Sequence, residues 1–360
     1  MIEIDGSYGE GGGQILRTTL ALAAILQKEI RIIRIRHGRP VPGMKAQHLV
    51  GAEAVARICS AKVEGLHTGS TELVFRPGPL KCGNYKFDVG TAGSITLVLQ
   101  TLMPVLPFLS GNSNIEITGG TDVKWSPPID YLRLVILPIL ERMGYHAKLV
   151  VEKRGHYPRG GGHVLFTTHP SKQLHRIEGD KSNPIQTISG LSHCTGLPAH
   201  VASRQSESAK QILLQNNLPE PTIELETTER TSGQGPGSGI VLVANGGRNV
   251  ILGADSLGER GVLAEKVGET AAMKLVEEIG SNAFLDNHMA DIIVPYLVLA
   301  SGVSNVTVSK VTQHLVTNVK VAELLSNVSF QPYGEIGKPG QLQVTGIGWS
   351  SEDVLVSATE

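Results

Sequence analysis

The chain has 360 residues, 41% apolar and 18% charged, with a formal net charge of −1. Ordinary apolar content at near-zero charge excludes a disordered chain, and no heptad or Gly-X-Y period supports a coiled coil or collagen. Cys59, Cys82 and Cys194 are too few and too scattered for a disulfide scaffold and suit a reducing compartment, while the neutral balance argues against sequence-blind nucleic-acid binding.

Ile2–Asp5 reads as a strand, and Gly9–Gly13 as a turn leading into a helix over Gln14–Leu26. Glu3 and Asp5 stand where a signal peptide would carry lysine or arginine. Ile30–Arg36 alternates as a strand, His48–Cys59 is helical and Thr71–Phe75 is a strand. Val89–Ile115 carries no charge, but Gly90, Gly93, Gln100, Pro104, Pro107 and Gly111 break it into runs too short to span a bilayer. We therefore expect no membrane span and a cytoplasmic protein. Within that stretch Thr91–Leu106 reads as a buried helix broken by Pro104. Asn114–Thr118 is a strand, Ile129–Met143 a helix, and His146–Lys153 and His163–Thr168 are strands.

Glycine-led helix starts recur at Gly13, Gly90 and Gly261, which suggests repeated βα-type units of roughly 60 to 80 residues. A polar stretch from Ser171 ends at an Asn183-Pro184 turn signal. Beyond it come a strand, a helix (Ala199–Leu214), a strand (Thr222–Thr228), a Gly/Ser/Pro loop (Thr231–Gly239), two strands (Ile240–Ala244, Val250–Gly253) and a helix (Leu263–Ile279). This is an α/β module inserted into a larger domain: residues 184–276 within a discontinuous domain of 1–183 and 277–360. A strand at Val306–Ser309 and a helix at Val319–Leu325 follow.

Gly11-Gly12-Gly13 before a helix leaves backbone N–H groups free for an anion, although such turns also serve packing alone. No Walker A lysine and no dinucleotide fingerprint accompany it. Arg31, Arg34, Arg36, His37 and Arg39 form the most basic segment, suited to phosphate or simply to a solvated strand face. No His-Glu-x-x-His or paired-cysteine spacing appears among the twelve histidines, so no structural metal is expected. His314 stands apart, ahead of a helix that Thr317 or Asn318 can cap. A helix dipole there favours neutral imidazole, a competent nucleophile toward phosphorus.

Several segments together resemble RNA 3′-terminal phosphate cyclases. They are Tyr8-Gly9-Glu10-Gly11-Gly12-Gly13-Gln14-Ile15-Leu16-Arg17, Arg39-Pro40-x-Pro42-Gly43 with Gln47-His48-Leu49, and Gly69-Ser70-Thr71-Glu72. Thr91-Ala92-Gly93-Ser94, Gly119-Gly120-Thr121 with Pro127 and Asp130, and Arg154-Gly155-x-Tyr157-Pro158-x-Gly160-Gly161-Gly162 follow. Leu257-Gly258-x-Arg260-Gly261 and the His314 segment complete a set that spans essentially the whole chain.

The resemblance implies an α/β (α+β) fold: repeated βαβαββ-like units akin to enolpyruvyl transferases, with a smaller inserted domain like the C-terminal domain of translation initiation factor 3. It implies ATP-dependent conversion of an RNA 3′-phosphate to a 2′,3′-cyclic phosphate. His314 matches the nucleophile that becomes adenylated. Glu10, Gln14, Gln100, Pro127, Asn287, His288 and Asp291 match the ATP site, and Arg17, Arg39 and Gln47 match residues that bind the RNA phosphate. Glu10 is also the implied ligand of Mg²⁺ or Mn²⁺. The chain departs from the family pattern at His288, where tyrosine is usual, and at Ile292, where glutamine is usual; both departures fall on the adenine pocket. A homodimer and RNA contact are both compatible with the inserted module. The competing reading is a non-catalytic cyclase-like RNA-binding protein of ribosomal RNA processing, which lacks the catalytic histidine that this chain retains.

Overall fold

The computed structural model describes residues 1–179, 184–247, 250–331 and 334–356, so the end of the polar stretch, including Asn183 of its turn signal, lies outside the described residues. β1 (Ile2–Asp5) leads through the glycine turn into α1 (Gly13–Ile25). Then come β2 (Ile30–Ile33), α2 (Ala46–Ile58), β3 (Lys62–Glu64) and β4 (Leu73–Arg76). The sheet runs β1-β2-β4-β3, with β1 parallel to β2 and the other pairs antiparallel.

The same order then repeats. β5 (Asn84–Asp88), α3 (Ile95–Leu102), β6 (Ser113–Gly119), α4 (Ile129–Tyr131), α5 (Leu137–Arg142), β7 (Ala147–Lys153) and β8 (Gly162–Thr168) form the second unit. Its sheet runs β5-β6-β8-β7 with the same pattern of parallel and antiparallel pairs. α4 and α5 are one helical run joined by a π-helical turn at Leu132–Ile136, just before Pro138 removes a backbone donor.

β9 (Glu178–Gly179) opens a third sheet. Before that sheet continues, the chain makes β10 (Ile185–Thr195), α6 (His200–Gln215), β11 (Thr222–Thr228), β12 (Gly237–Gly246), β13 (Ile251–Leu257) and α7 (Ala264–Gly280). Their sheet runs β11-β10-β12-β13, and α6 and α7 pack on it and on each other. The third sheet resumes after α8 (Asn287–Leu299) with β14 (Ser301–Val308), α9 (Gln313–Ser326) and β15 (Gly340–Ile347), and a short α10 (Ser351–Val356) follows. β14 pairs parallel with β9 and antiparallel with β15. This is the mixed α/β architecture that the resemblance implies.

α1 is the hub. Eleven of its residues are buried, and it packs against α2, α3, α8 and α9. An all-round apolar helix needs such surroundings. The uncharged stretch around α3 is buried for the same reason, and no helix among the described residues is long and apolar enough to cross a membrane.

Two expectations change. The basic strand stops at Ile33 because Arg34 and Arg36 both take left-handed backbone (φ 54°) and turn the chain. Its arginines therefore do not share one face. Arg31 pairs with Glu3 and Glu72, Arg34 with Asp5, and Arg36 donates to the carbonyls of Val41 and Gly43. The helix that follows His314 begins six residues earlier than expected, so His314 lies inside its first turn.

Candidate active site

The N-termini of α1 and α9 converge. At the turn ahead of α1, Gly9 and Gly11 have positive φ (59° and 54°), and a Cβ on Gly9 would overlap the Thr317 hydroxyl. Only glycine allows this approach. Gly12 is the N-cap of α1 and Thr312 that of α9, where the Thr312 hydroxyl accepts from the Leu315 N–H at 2.9 Å. Of the two residues expected as caps, Thr317 donates back to the Gln313 carbonyl within α9, and Asn318 binds the helices to one another. Asn318 accepts from the Thr18 hydroxyl at 2.7 Å and donates to the Asp291 carbonyl at 2.5 Å.

This framework gathers four of the expected site residues. His314 Nδ1 lies 3.3 Å from Glu10 Oε2, and Arg39 donates to that same oxygen at 3.3 Å. Gln14 donates to the His314 carbonyl at 3.0 Å, which fixes the histidine backbone against α1. The side chains of His314 and Glu10 remain about 40% exposed, open to a ligand. Thr312 also donates to the Asp291 carboxyl, so Asp291 supports the residue that caps the His314 helix.

Arg17 lies one turn further along α1. With Gln47, His48 and Thr101 it lines a narrow crevice between α1, α2 and α3. Gln47 accepts from the Ser94 N–H at 2.9 Å and so ties α2 to the start of α3. His288 is exposed on the first turn of α8, edge-on to Tyr131 at 5.8 Å, and Asn287 precedes it. The Gln100 side chain on α3 makes no hydrogen bond among the described residues, and Pro127 lies just before Pro128, the N-cap of α4. Neither is drawn into the His314 cluster by a described contact.

Burial lowers the pKa of His314, and Arg17, Arg39 and His288 add to that against the opposing pull of Glu10. The imidazole is therefore neutral at pH 7. Burial brings Arg17 down to about 10 against the pull of Asp291. It pushes Asp291 up to about 8, so that carboxyl is largely protonated at neutral pH. His48, lowered to about 3 by burial and neighbouring cations, is neutral and accepts from the Lys45 N–H through Nδ1.

Sequence reasoning missed the supporting residues Thr312 and Asp286. Asp286 caps α8 and accepts from Tyr131 Oη at 2.5 Å and from the Gly253 N–H at 2.8 Å, joining three parts of the chain. An Asp three residues before an apolar helical run is a cap signal that could have found it.

Chemically, the site offers a neutral imidazole beside a carboxylate, two arginines and two helix N-termini. That set suits nucleophilic attack on a phosphate-bearing ligand.

A family model described as RNA 3′-terminal phosphate cyclase matches residues 8–332. The chain is 48% identical over 352 residues to an RNA 3′-terminal phosphate cyclase of Ignicoccus hospitalis, covering 97% of this chain and 99% of that one. The Pyrobaculum aerophilum protein of the same name is 45% identical, at 97% and 99% coverage. That of Pyrococcus abyssi is 46% identical, at 96% and 98%.

Proposed function

The chain belongs to the RNA 3′-terminal phosphate cyclase family, and on that footing we propose that it is a ligase that uses ATP to convert RNA 3′-phosphate ends to 2′,3′-cyclic phosphates, with His314 as nucleophile. The observation that carries this reading is the pairing of His314 Nδ1 with Glu10 at 3.3 Å. A proton held on Nδ1 by that carboxylate leaves the Nε2 lone pair free. In the first step Nε2 bonds to the α-phosphorus of ATP as the bond to pyrophosphate breaks. Glu10 then balances the positive charge that develops on the ring. An oxygen of the RNA 3′-phosphate next attacks the adenylyl phosphorus, the P–N bond breaks and neutral His314 returns. Finally the ribose 2′-oxygen, losing its proton, attacks the 3′-phosphorus and AMP leaves.

Arg39, half-exposed beside Glu10, and Arg17, at the crevice, are placed to meet phosphate oxygens. Gln14 and Gln47 fix the elements around them. The adenosine is read as lying toward His288, Asn287, Asp291, Pro127 and Gln100, with His288 replacing a phenol at one wall. Among the described residues no cluster of three metal-ligating side chains includes Glu10. A single half-exposed carboxylate fits Mg²⁺ or Mn²⁺ held jointly with nucleotide phosphates, where the cation would neutralise triphosphate charge. The β10–β13 sheet with α6 and α7 supports reading 184–276 as an inserted domain in a discontinuous 1–183 and 277–360 domain. Since α7 runs on to Gly280, the boundary is better drawn at its end.

The test is labelling with α-phosphate-labelled ATP and divalent metal, without RNA, on wild type and His314→Ala. We expect an acid-labile, alkali-stable label on wild type alone, discharged by RNA with a 3′-phosphate but not a 3′-hydroxyl. Label surviving in folded His314→Ala would overturn the assignment. No label on wild type would favour the non-catalytic RNA-binding reading.

A further inference from the structure

Asp122, His156 and His193 are far apart in the sequence, but they meet where two loops of the second unit touch β10. Their potential ligating atoms all lie within 4.8 Å of one another. All three residues are buried, His193 completely. Asp122 Oδ2 accepts from the Thr121 hydroxyl at 2.6 Å and from Arg154 Nη1 at 3.3 Å, whereas its Oδ1 has no partner. His156 Nε2 has none either, nor has either ring nitrogen of His193. The two rings stack with centroids 5.5 Å apart. β12 makes room for them with glycine: a Cβ on Gly237 would overlap the His156 ring, and one on Gly239 would lie 3.0 Å from His193 Cε1.

Buried polar atoms are nearly always satisfied, so three buried residues that each carry an unpartnered atom, with one ligating atom from each within 4.8 Å of the others, call for a shared partner. The charges around them point to a cation. Arg154 faces Asp122, Asp130 and Glu226, and Arg133 takes the other oxygen of Asp130. Two cations thus face three carboxylates. His156 Nε2, with no hydrogen-bond partner, is free to offer its lone pair to a ligand.

We propose that Asp122, His156 and His193 bind a divalent borderline cation, Zn²⁺ first among them, which pins the β10–β13 sheet to the second repeated unit. Two imidazole nitrogens and one carboxylate oxygen suit zinc and its first-row neighbours, whereas Mg²⁺ and Ca²⁺ take all-oxygen sets. A water completes the tetrahedron. Thr121 and Arg154 hold the ligating carboxylate from behind. The site is separate from His314 and does not depend on the cyclase reading.

The test uses full-length, untagged protein, stripped with chelator and titrated with Zn²⁺ in the absence of nucleotide. We expect one zinc per chain by elemental analysis. The melting temperature should rise with zinc concentration as mass action requires, and an equal concentration of Mg²⁺ should not reproduce that rise. Co²⁺ should give the visible absorption of a tetrahedral site without thiolate charge transfer. His156→Gln and His193→Gln should each lose the stoichiometric zinc. Wild type that keeps no zinc and melts unchanged in its presence would overturn the proposal. So would zinc retained in full by both folded variants, or a thiolate band in the Co²⁺ form. If the variants do not fold, the wild-type titration and the Co²⁺ spectrum decide.

Discussion

Asp291 is a carboxyl that its surroundings hold protonated, pushed up to about 8 chiefly by burial and helped by Asp286 and Glu10. Its unfolded value is near 3.9, so between about pH 4 and pH 8 the folded chain keeps a proton that the unfolded chain has released. Stability therefore falls as pH rises through that window. Asp291→Asn keeps an acceptor for the Thr312 hydroxyl but has no charge to bury. We expect its melting temperature to fall less than that of wild type between about pH 6 and pH 9, by roughly 2 °C or more, measured by calorimetry at a series of pH values. Asp291 could be singled out in the sequence by its family motif, but its protonation could not, because that depends on what three distant elements bring around it. The converse holds for Arg31, Arg34 and Arg36. Their run of charge was plain, yet Glu3, Glu72, Asp5 and local carbonyls take them up, and Arg39 alone of that run's arginines reaches Glu10.

At the scale of elements, the active-site geometry depends on how two helices begin. Thr312 closes the first turn of α9 and also donates to Asp291. Thr312→Ala should cost about 1 kcal/mol of stability, the usual worth of an N-cap, and slow the adenylation of His314. Thr312→Ser, which restores the hydroxyl, should recover both in the same denaturation and labelling assays. At α1, a Cβ on Gly13 would overlap His48 Nε2, and that ring is buried and cannot swing away. A Cβ on Gly12 would meet only the mobile tip of Arg39, at 3.0 Å. Gly13→Ala should therefore lose about 1–3 kcal/mol, as overpacked sites do, and Gly12→Ala much less, read from urea midpoints. Most strand and helix positions were legible from periodicity. The α9 start was not, because Thr312, Thr317 and Asn318 could each cap a helix, and in the fold it is Thr312 that does so. Strands β3 and β5 carry too few alternating residues to register, and α8 is apolar on nearly all sides.

Across the whole molecule, the first two repeated units were visible in outline because the glycine turns at Gly13 and Gly90–Gly93 precede corresponding helices, α1 and α3, whereas Gly261 leads into α7 on the β10–β13 sheet and marks no repeat. Their identical strand order was not, since pairing is a non-local property. The junction of the second unit with the β10–β13 sheet was equally hidden: Asp122, Asp130, Arg154 and Glu226 share no local pattern, yet one guanidinium joins them. Arg154 lies 3.3 Å from Asp122, 2.7 Å from Asp130 and 2.5 Å from Glu226, and its side chain is almost wholly buried. Glu226 belongs to β11 and the two aspartates to the second unit, so Arg154 is an electrostatic link between them. Removing one partner of a buried ion pair leaves an uncompensated charge, which costs about 3–5 kcal/mol. Arg154→Met fills the space but leaves Glu226 without its buried partner and Asp130 with only the half-exposed Arg133. We expect a loss of that size in chemical denaturation, with proteolysis at the edges of 184–276 quickened more than elsewhere. Restoring charge balance by adding Asp130→Asn should recover part of the loss. A single variant that kept wild-type stability would show that the contact between the two parts rests on apolar packing, such as Tyr131 against Gly253, rather than on this guanidinium.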